Sequence, residues 1–282
     1  MRTIRLLFVL AVSGSFAGCI VPQLDNYPAD KSRGGGTHGP GEDAVYGAPG
    51  GGGNGTLGGS GAIPAECVEG TFAGSVTFAG ANSTVGYGDQ CRVAGTVTVM
   101  ADATSDQLVQ AMRLRSIGAT LSLLAPGNLS FPALATVGGA VQISGGSLTQ
   151  NAIFPALTSV SNITINDTTA LVSADFPALL SNVINLTVKN NPLLTSVRVT
   201  MPTVSSQIGV TDNPQLQTLS FPSLASVTQL FVMNNPLLSS IVFPAAGTKI
   251  NGPWMICTSP KLDQAWLAAF RQAHVNGLGQ CP

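Results

Sequence analysis

Between residues 131 and 246 the chain writes a Phe-Pro-x-Leu signature, or a near variant of it, six times. The copies are Phe131-Pro132-Ala133-Leu134, Phe154-Pro155-Ala156-Leu157, Phe176-Pro177-Ala178-Leu179, Met201-Pro202-Thr203-Val204, Phe221-Pro222-Ser223-Leu224 and Phe243-Pro244-Ala245-Ala246. The widest interval lies before Met201 and the narrowest just after it; the others are nearly equal. A period near 22 constrains the fold more than any other feature. A unit that short cannot bury its own apolar side chains and must stack on its neighbours.

The repeat is sharpest in its second half. Leu186-Thr187-Val188-Lys189-Asn190-Asn191-Pro192 aligns with Ile208-Gly209-Val210-Thr211-Asp212-Asn213-Pro214 and with Leu230-Phe231-Val232-Met233-Asn234-Asn235-Pro236. A Leu follows six residues after each central Val, at Leu194, Leu216 and Leu238. The Leu-x-Val alternation is that of a strand with one buried face, and Asn-Pro and Phe-Pro mark corners. Leu121-Ser122-Leu123, Val141-Gln142-Ile143 and Ile163-Thr164-Ile165 keep the register, and Val97-Thr98-Val99 and Val76-Thr77-Phe78 extend it toward Cys67. The expected architecture is all-β: a parallel β-solenoid of about nine ~22-residue coils, with strands stacked about 4.8 Å apart.

Phe131, Phe154, Phe176, Phe221 and Phe243 should then form an inward column. Asn191, Asn213 and Asn235 should form a ladder of turn amides bonded to the backbone of adjacent coils. An open solenoid must cap its ends. Leu262, Trp266, Leu267 and Phe270 fall at helical spacing. Residues 263–274 therefore read as a short C-terminal capping helix, with His274 a capping or surface residue rather than a base. Residues 107–112 read as a second short helix beside an early coil.

The N-terminus reads as an export signal. Arg2 and Arg5 precede an apolar run over residues 6–12, too short to span a membrane, and Phe16-Ala17-Gly18-Cys19 follows. Small residues before a cysteine resemble the lipobox of bacterial lipoproteins, although Phe16 stands where that motif usually has Leu. The resemblance implies that residues 1–18 are a signal peptide, that Cys19 is acylated, and that the lipid holds the protein to a membrane of the bacterial cell envelope. Ile20 rather than Asp after the cysteine implies sorting to the outer membrane. Residues 19–66 form a lipid-anchored tether: half of residues 34–61 are Gly, a composition that cannot bury enough surface to offset its ordering entropy. Residues 67–282 hold the coils. Cys67 and Cys91 have the same spacing as Cys257 and Cys281, one pair at each end of the repeats. A rod keeps its ends apart, so the pairs should close locally as disulfides, which export permits.

From Cys91 onward the chain resembles the receptor L-domain group, the right-handed β-helix of insulin- and EGF-type receptor ectodomains. It is still more similar to that group's relatives among fungal cell-wall and bacterial surface proteins. Cys91 with the opening strand Val97-Thr98-Val99, the Leu-x-Val-x-Asn-Asn-Pro runs and the Pro-x-Leu corners carry the resemblance, over roughly residues 67–282. It implies a right-handed parallel β-helix and a non-enzymatic role in binding, adhesion or envelope structure. The Leu-rich-repeat horseshoe fits less well, because its ladder Asn would fall on Leu224.

Charged residues are 9% of the chain, against roughly 25% in an average globular protein. From Cys67 onward eight acidic residues balance eight basic ones. No basic stripe is present, which argues against nucleic acid as the partner. His38 and His274 lie outside the coils, so a His-based triad or His metal site has no materials there. The Gly-rich stretches lie in the tether and not between a strand and a helix, so no phosphate-binding loop is implied, and no metal or other cofactor is expected. The remaining enzymatic reading is a carbohydrate-active β-helix lyase or hydrolase working with carboxylates on an outer face. Asp167, Asp175 and Asp212 are candidates by type, but Asp167 and Asp212 align with the turn residues Asn190 and Asn234.

Two outward columns follow from the alternation. One runs Gln142, Thr164, Thr187, Gly209, Phe231 and Met255; the next runs Ser144, Asn166, Lys189, Thr211, Met233 and Cys257. Phe231, Met233 and Met255 break the small polar pattern. They are a candidate binding patch for an unidentified protein or glycan ligand, unless a Cys257–Cys281 bridge draws the C-terminal segment across them.

Overall fold

The structure is a computed structural model that describes residues 67–274 except residues 85, 126, 146–148 and 246. Cys19, the expected signal peptide and tether (residues 1–66) and Cys281 lie outside the described residues. Within them the chain forms a parallel β-solenoid of two sheets, one of 13 strands and one of 6. The path Val68–Phe72, Gln90–Val93, Ser116–Ile117, Thr136–Ser144, Ser159–Asn166, Val183–Lys189, Thr203–Thr211, Ser226–Met233, Lys249–Ile250 crosses the large sheet. These nine levels make about eight turns. Asn162 pairs with Asn185, Asn185 with Gln207 and Gln207 with Gln229. Those pairings fix the sequence period of one coil, and it is the period of the motif.

Each coil crosses the large sheet in two arms separated by a bend. The bend appears as a register shift, as between Val160 and Asn162 opposite Val137 and Ala140. The first arm contributes one buried Val or Ile per coil, such as Val137, Val160, Val183, Val204 and Val227. The second arm is the Leu-x-Val element, and Ile163, Ile165, Leu186, Val188, Ile208, Val210, Leu230 and Val232 are all fully buried. At the bend early coils approach closely. A Cβ on Gly138 would sit 2.1 Å from the carbonyl oxygen of Gly118, and one on Gly118 would sit 2.2 Å from that of Ala94. Only glycine fits there. The third side of the coil is the smaller sheet, Gly127–Ser130, Thr149–Ile153, Ser173–Phe176, Ser196–Val199, Thr218–Ser220 and Ser240–Val242.

The aromatic column stacks as its period requires. Phe131 and Phe154 lie 5.2 Å apart with planes 3° from parallel, and Phe154 and Phe176 lie 4.7 Å apart. The fourth level departs from the sequence alignment. Phe176 pairs with Val199, not Met201, and the pairing of Arg198 with Ser220 puts Phe221 opposite Val199 too. Met201 is fully buried, but it lies beyond the corner. With Val199 in the column, its members are Phe131, Phe154, Phe176, Val199, Phe221 and Phe243, and their spacing is even. The wide interval before Met201 and the narrow one after it came from aligning on Pro202, whereas length changes fall in the corners. The corner from Phe176 to Val183 is longer than the one from Val199 to Val204. The longer corner carries Leu180, which is 76% exposed.

Both ends are capped by the chain itself. At the N-terminal end Thr84 Oγ1 accepts from the Thr77 N–H at 2.7 Å, and the Thr84 N–H donates to the Thr77 carbonyl at 2.9 Å. Those bonds occupy the free edge of strand Val76–Phe78. Tyr87 packs edge-on against Phe72 and Phe78, and the Cys67–Cys91 disulfide ties down the same end. Helix α1 (Ser105–Met112) opens with a capping box in which Thr104 and Gln107 exchange side-chain and backbone hydrogen bonds.

At the other end, helix α2 (Gln264–Ala273) starts on Asp263, whose carboxylate accepts from the Ala265 and Trp266 N–H groups. Its Phe270 covers Phe243 at 5.6 Å and meets Trp254 edge-on. His274 closes the helix: its ring nitrogens lie 2.9 Å from the Phe270 carbonyl and 2.8 Å from that of Thr248. It is a capping residue.

Truncating Phe154 to Ala should cost about 3–5 kcal/mol by opening a cavity between coils. Lys189→Ala, on an exposed outward position, should stay within about 0.5 kcal/mol. Denaturant titration of both variants checks the inward and outward assignment.

Candidate functional site

Leaving the second arm, every well-formed coil makes the same turn. Asp167, Asn190, Asp212, Asn234 and Thr258 all have φ between 54° and 61°. That left-handed conformation suits Asn and Asp because their short polar side chains bond locally. The residue after each points inward. Asn213 Oδ1 accepts from the Asn191 N–H at 3.1 Å and from its side-chain amide at 2.9 Å. Asn213 Nδ2 donates to the carbonyls of Thr211 and Val188 and to Asn235 Oδ1. The ladder extends one rung further than three asparagines: Thr168 donates its N–H and its hydroxyl to Asn191 Oδ1. Ser259 takes the matching buried position in the last coil and bonds the Cys257 carbonyl.

Two of the three candidate carboxylates belong to this turn. Asp167 accepts from Asn190 Nδ2 at 2.8 Å and from Asn166 Nδ2 at 2.9 Å. Asp212 accepts from Asn234 Nδ2 at 2.9 Å. Asp175 stands apart on the outward face of the smaller sheet, in register between Ile153 and Arg198. Burial raises its pKa, and Arg198 opposes the shift. The three carboxylates are therefore spread over two sides of the coil, and Asp167 and Asp212 are spent on turn amides. Elsewhere burial raises Asp89, opposed by Arg113, and lifts the Tyr87 phenol above its ordinary range with help from Asp89. Glu69 bridges Arg92 and Arg115 at the N-terminal end. No group of three or more metal-ligating side chains occurs among the described residues.

The outward columns lie where the alternation put them. Gln142, Thr164, Thr187, Gly209, Phe231 and Met255 follow one another in register. Ser122, Thr98 and Thr77 prolong that column toward the N-terminal end. Phe231 is directly opposite Met255, and Met233 is opposite Cys257. The candidate patch is thus contiguous, with all three side chains half-buried. Cys257 is buried and disulfide-bonded; Cys281, its expected partner, lies outside the described residues, as does the rest of the C-terminal segment. Sequence reasoning missed a third outward column, Asn162, Asn185, Gln207 and Gln229, in which Asn185 donates to Asn162 Oδ1 at 3.2 Å. It lies at the bend, where the register shift breaks the simple alternation.

Comparison with known protein families, with curated proteins and with solved structures finds no match. The class that the fold defines is a parallel β-solenoid repeat protein.

The raised pKa of Asp175 gives a pH test. Its native carboxyl holds a proton more readily than the unfolded one, so ionisation lowers stability as pH rises through the native pKa. Asp175→Asn should therefore melt higher than the parent at pH 7. That advantage should shrink as the pH falls toward the ordinary aspartate value of about 3.9.

Proposed function

We infer that this chain is a non-enzymatic lipoprotein of the bacterial cell envelope, anchored through Cys19, that displays its β-solenoid for binding, adhesion or envelope structure. The observation that carries the reading is where the candidate carboxylates of the coils go. Two of them accept hydrogen bonds from turn amides and the third lies on another side facing an arginine, which supports structural rather than acid–base work for all three. The second-arm column from Thr98 to Thr187 is instead a regular row of polar side chains, which suits a docking face better than a reaction centre. The lipid anchor rests on the Ala17-Gly18-Cys19 segment and its basic and apolar lead. The outer-membrane address rests on Ile20.

Two measurements test this. Metabolic labelling with a palmitate analogue should mark the parent and not Cys19→Ser, and the variant should leave the membrane fraction. Incubation with soluble polysaccharides should produce no new reducing ends. Label on Cys19→Ser, or chain cleavage, would overturn the corresponding half of the reading.

A further inference from the structure

We propose that the second-arm face of the large sheet binds an uncharged polyhydroxylated polymer, a neutral glycan chain. The inference rests on the display function above and names its ligand class.

Three observations converge on this face. The first is unspent hydrogen-bonding capacity. At corners and bends, hydroxyls are used by the fold: Thr158 donates to the Ala135 carbonyl, Ser161 to Gly138, Thr195 to Val172 and Thr228 to Ser205. On the second arm, Thr98, Ser122, Gln142, Thr164 and Thr187 form one continuous column. Their side chains make no hydrogen bond to the protein among the described residues. None of their polar atoms is sealed from solvent without a partner, and Gln142 is exposed. Each hydroxyl or amide can both donate and accept.

The second observation is charge. Among the described outward positions of the second-arm strands Lys189 is the one ionisable group. The chain does carry charge on other outward surfaces: Arg92 and Lys249 on the first arm, Asp175 and Arg198 on the smaller sheet. A charged partner would find little to pair with here, and desolvating its charges against neutral dipoles would be unfavourable. A neutral polyol imposes no such cost. The third is Phe231, half-buried in the same column, whose ring supplies an apolar surface beside the polar array. A pyranose has that dual character, hydroxyls around its rim and C–H groups on its faces. Hydroxyls repeated at strand spacing of about 4.8 Å along the coil axis suit a linear polymer better than a compact ligand.

The test is a pull-down of the full chain in detergent with insoluble β-glucan and chitin particles, and with an anionic polyuronate resin as the contrasting surface. The expected result is retention on a neutral polymer that persists in about 1 M salt, where ionic contacts are screened. Thr164→Val with Thr187→Val removes two hydroxyls and keeps the branched shape, and should weaken retention roughly tenfold at an unchanged melting temperature. Phe231→Ala should weaken it also. If the double variant melts early, Thr98→Val on an earlier coil provides the same reading and should weaken retention as well. No retention on either neutral polymer, retention on the polyuronate alone, or retention unaltered by all these changes would overturn the glycan inference while leaving display standing. Shortening of the polymer chains would overturn the non-enzymatic reading itself.

Discussion

Every coil has to turn out of its second arm while another coil is stacked above and below it, so the turn's backbone groups are cut off from water. An unpaired buried carbonyl or amide costs about 1–3 kcal/mol, and the cost would recur at each level. The inward asparagines solve this in three successive coils with one device. Asn213 and Asn235 each bond a carbonyl of their own coil and a carbonyl of the coil before, while accepting from the asparagine of that earlier coil. All three asparagines are fully buried. Because each amide serves two coils, the coils must keep one register, and that register then aligns the valines, the phenylalanine stack and the outward columns.

That dependence explains what the sequence displayed and what it hid. The Leu-x-Val arms and Asn-Asn-Pro turns were legible because their period and chemistry repeat together. The alignment failed at Met201 because it followed proline, and proline marks a corner whose length is free to vary. Thr200 takes the proline's place beside the column residue Val199, and its N–H donates to the Phe176 carbonyl, which a proline could not do. Thr168 was a hidden member of the ladder, its hydroxyl and N–H serving Asn191 of the next coil, and Ser259 takes the matching buried position but bonds a carbonyl of its own coil. The N-terminal cap was illegible. Thr84 and Tyr87 work through a loop that has no period, and nothing in their spacing announces the edge they cover.

The candidate surface divides in the same way. Columns set by alternation were readable residue by residue, including the pairing of Phe231 with Met255 across a coil that aligns only through Pro260. The carboxylates were readable by type, and for Asp167 and Asp212 the turn alignment already indicated their use. Asp175 was not, because its surroundings depend on which residues the neighbouring coils put at Ile153 and Arg198. The amide column at the bend was lost to the register shift. Which hydroxyls are spent on neighbouring carbonyls is likewise invisible in sequence, since Ser and Thr serve both at corners and on open faces.

The composition of the second-arm face is not a requirement of the fold. The core fixes alternate positions and leaves the outward ones free, and a solvated sheet face tolerates Lys and Glu readily. Charge would even help a solenoid, since charged side chains on and near strand edges discourage association with other chains. What remains is a column kept neutral, mostly hydroxylated and in register over six successive coils, from Thr98 to Gly209. Stability can be had without that arrangement, which leaves this face free to serve the glycan contact proposed above.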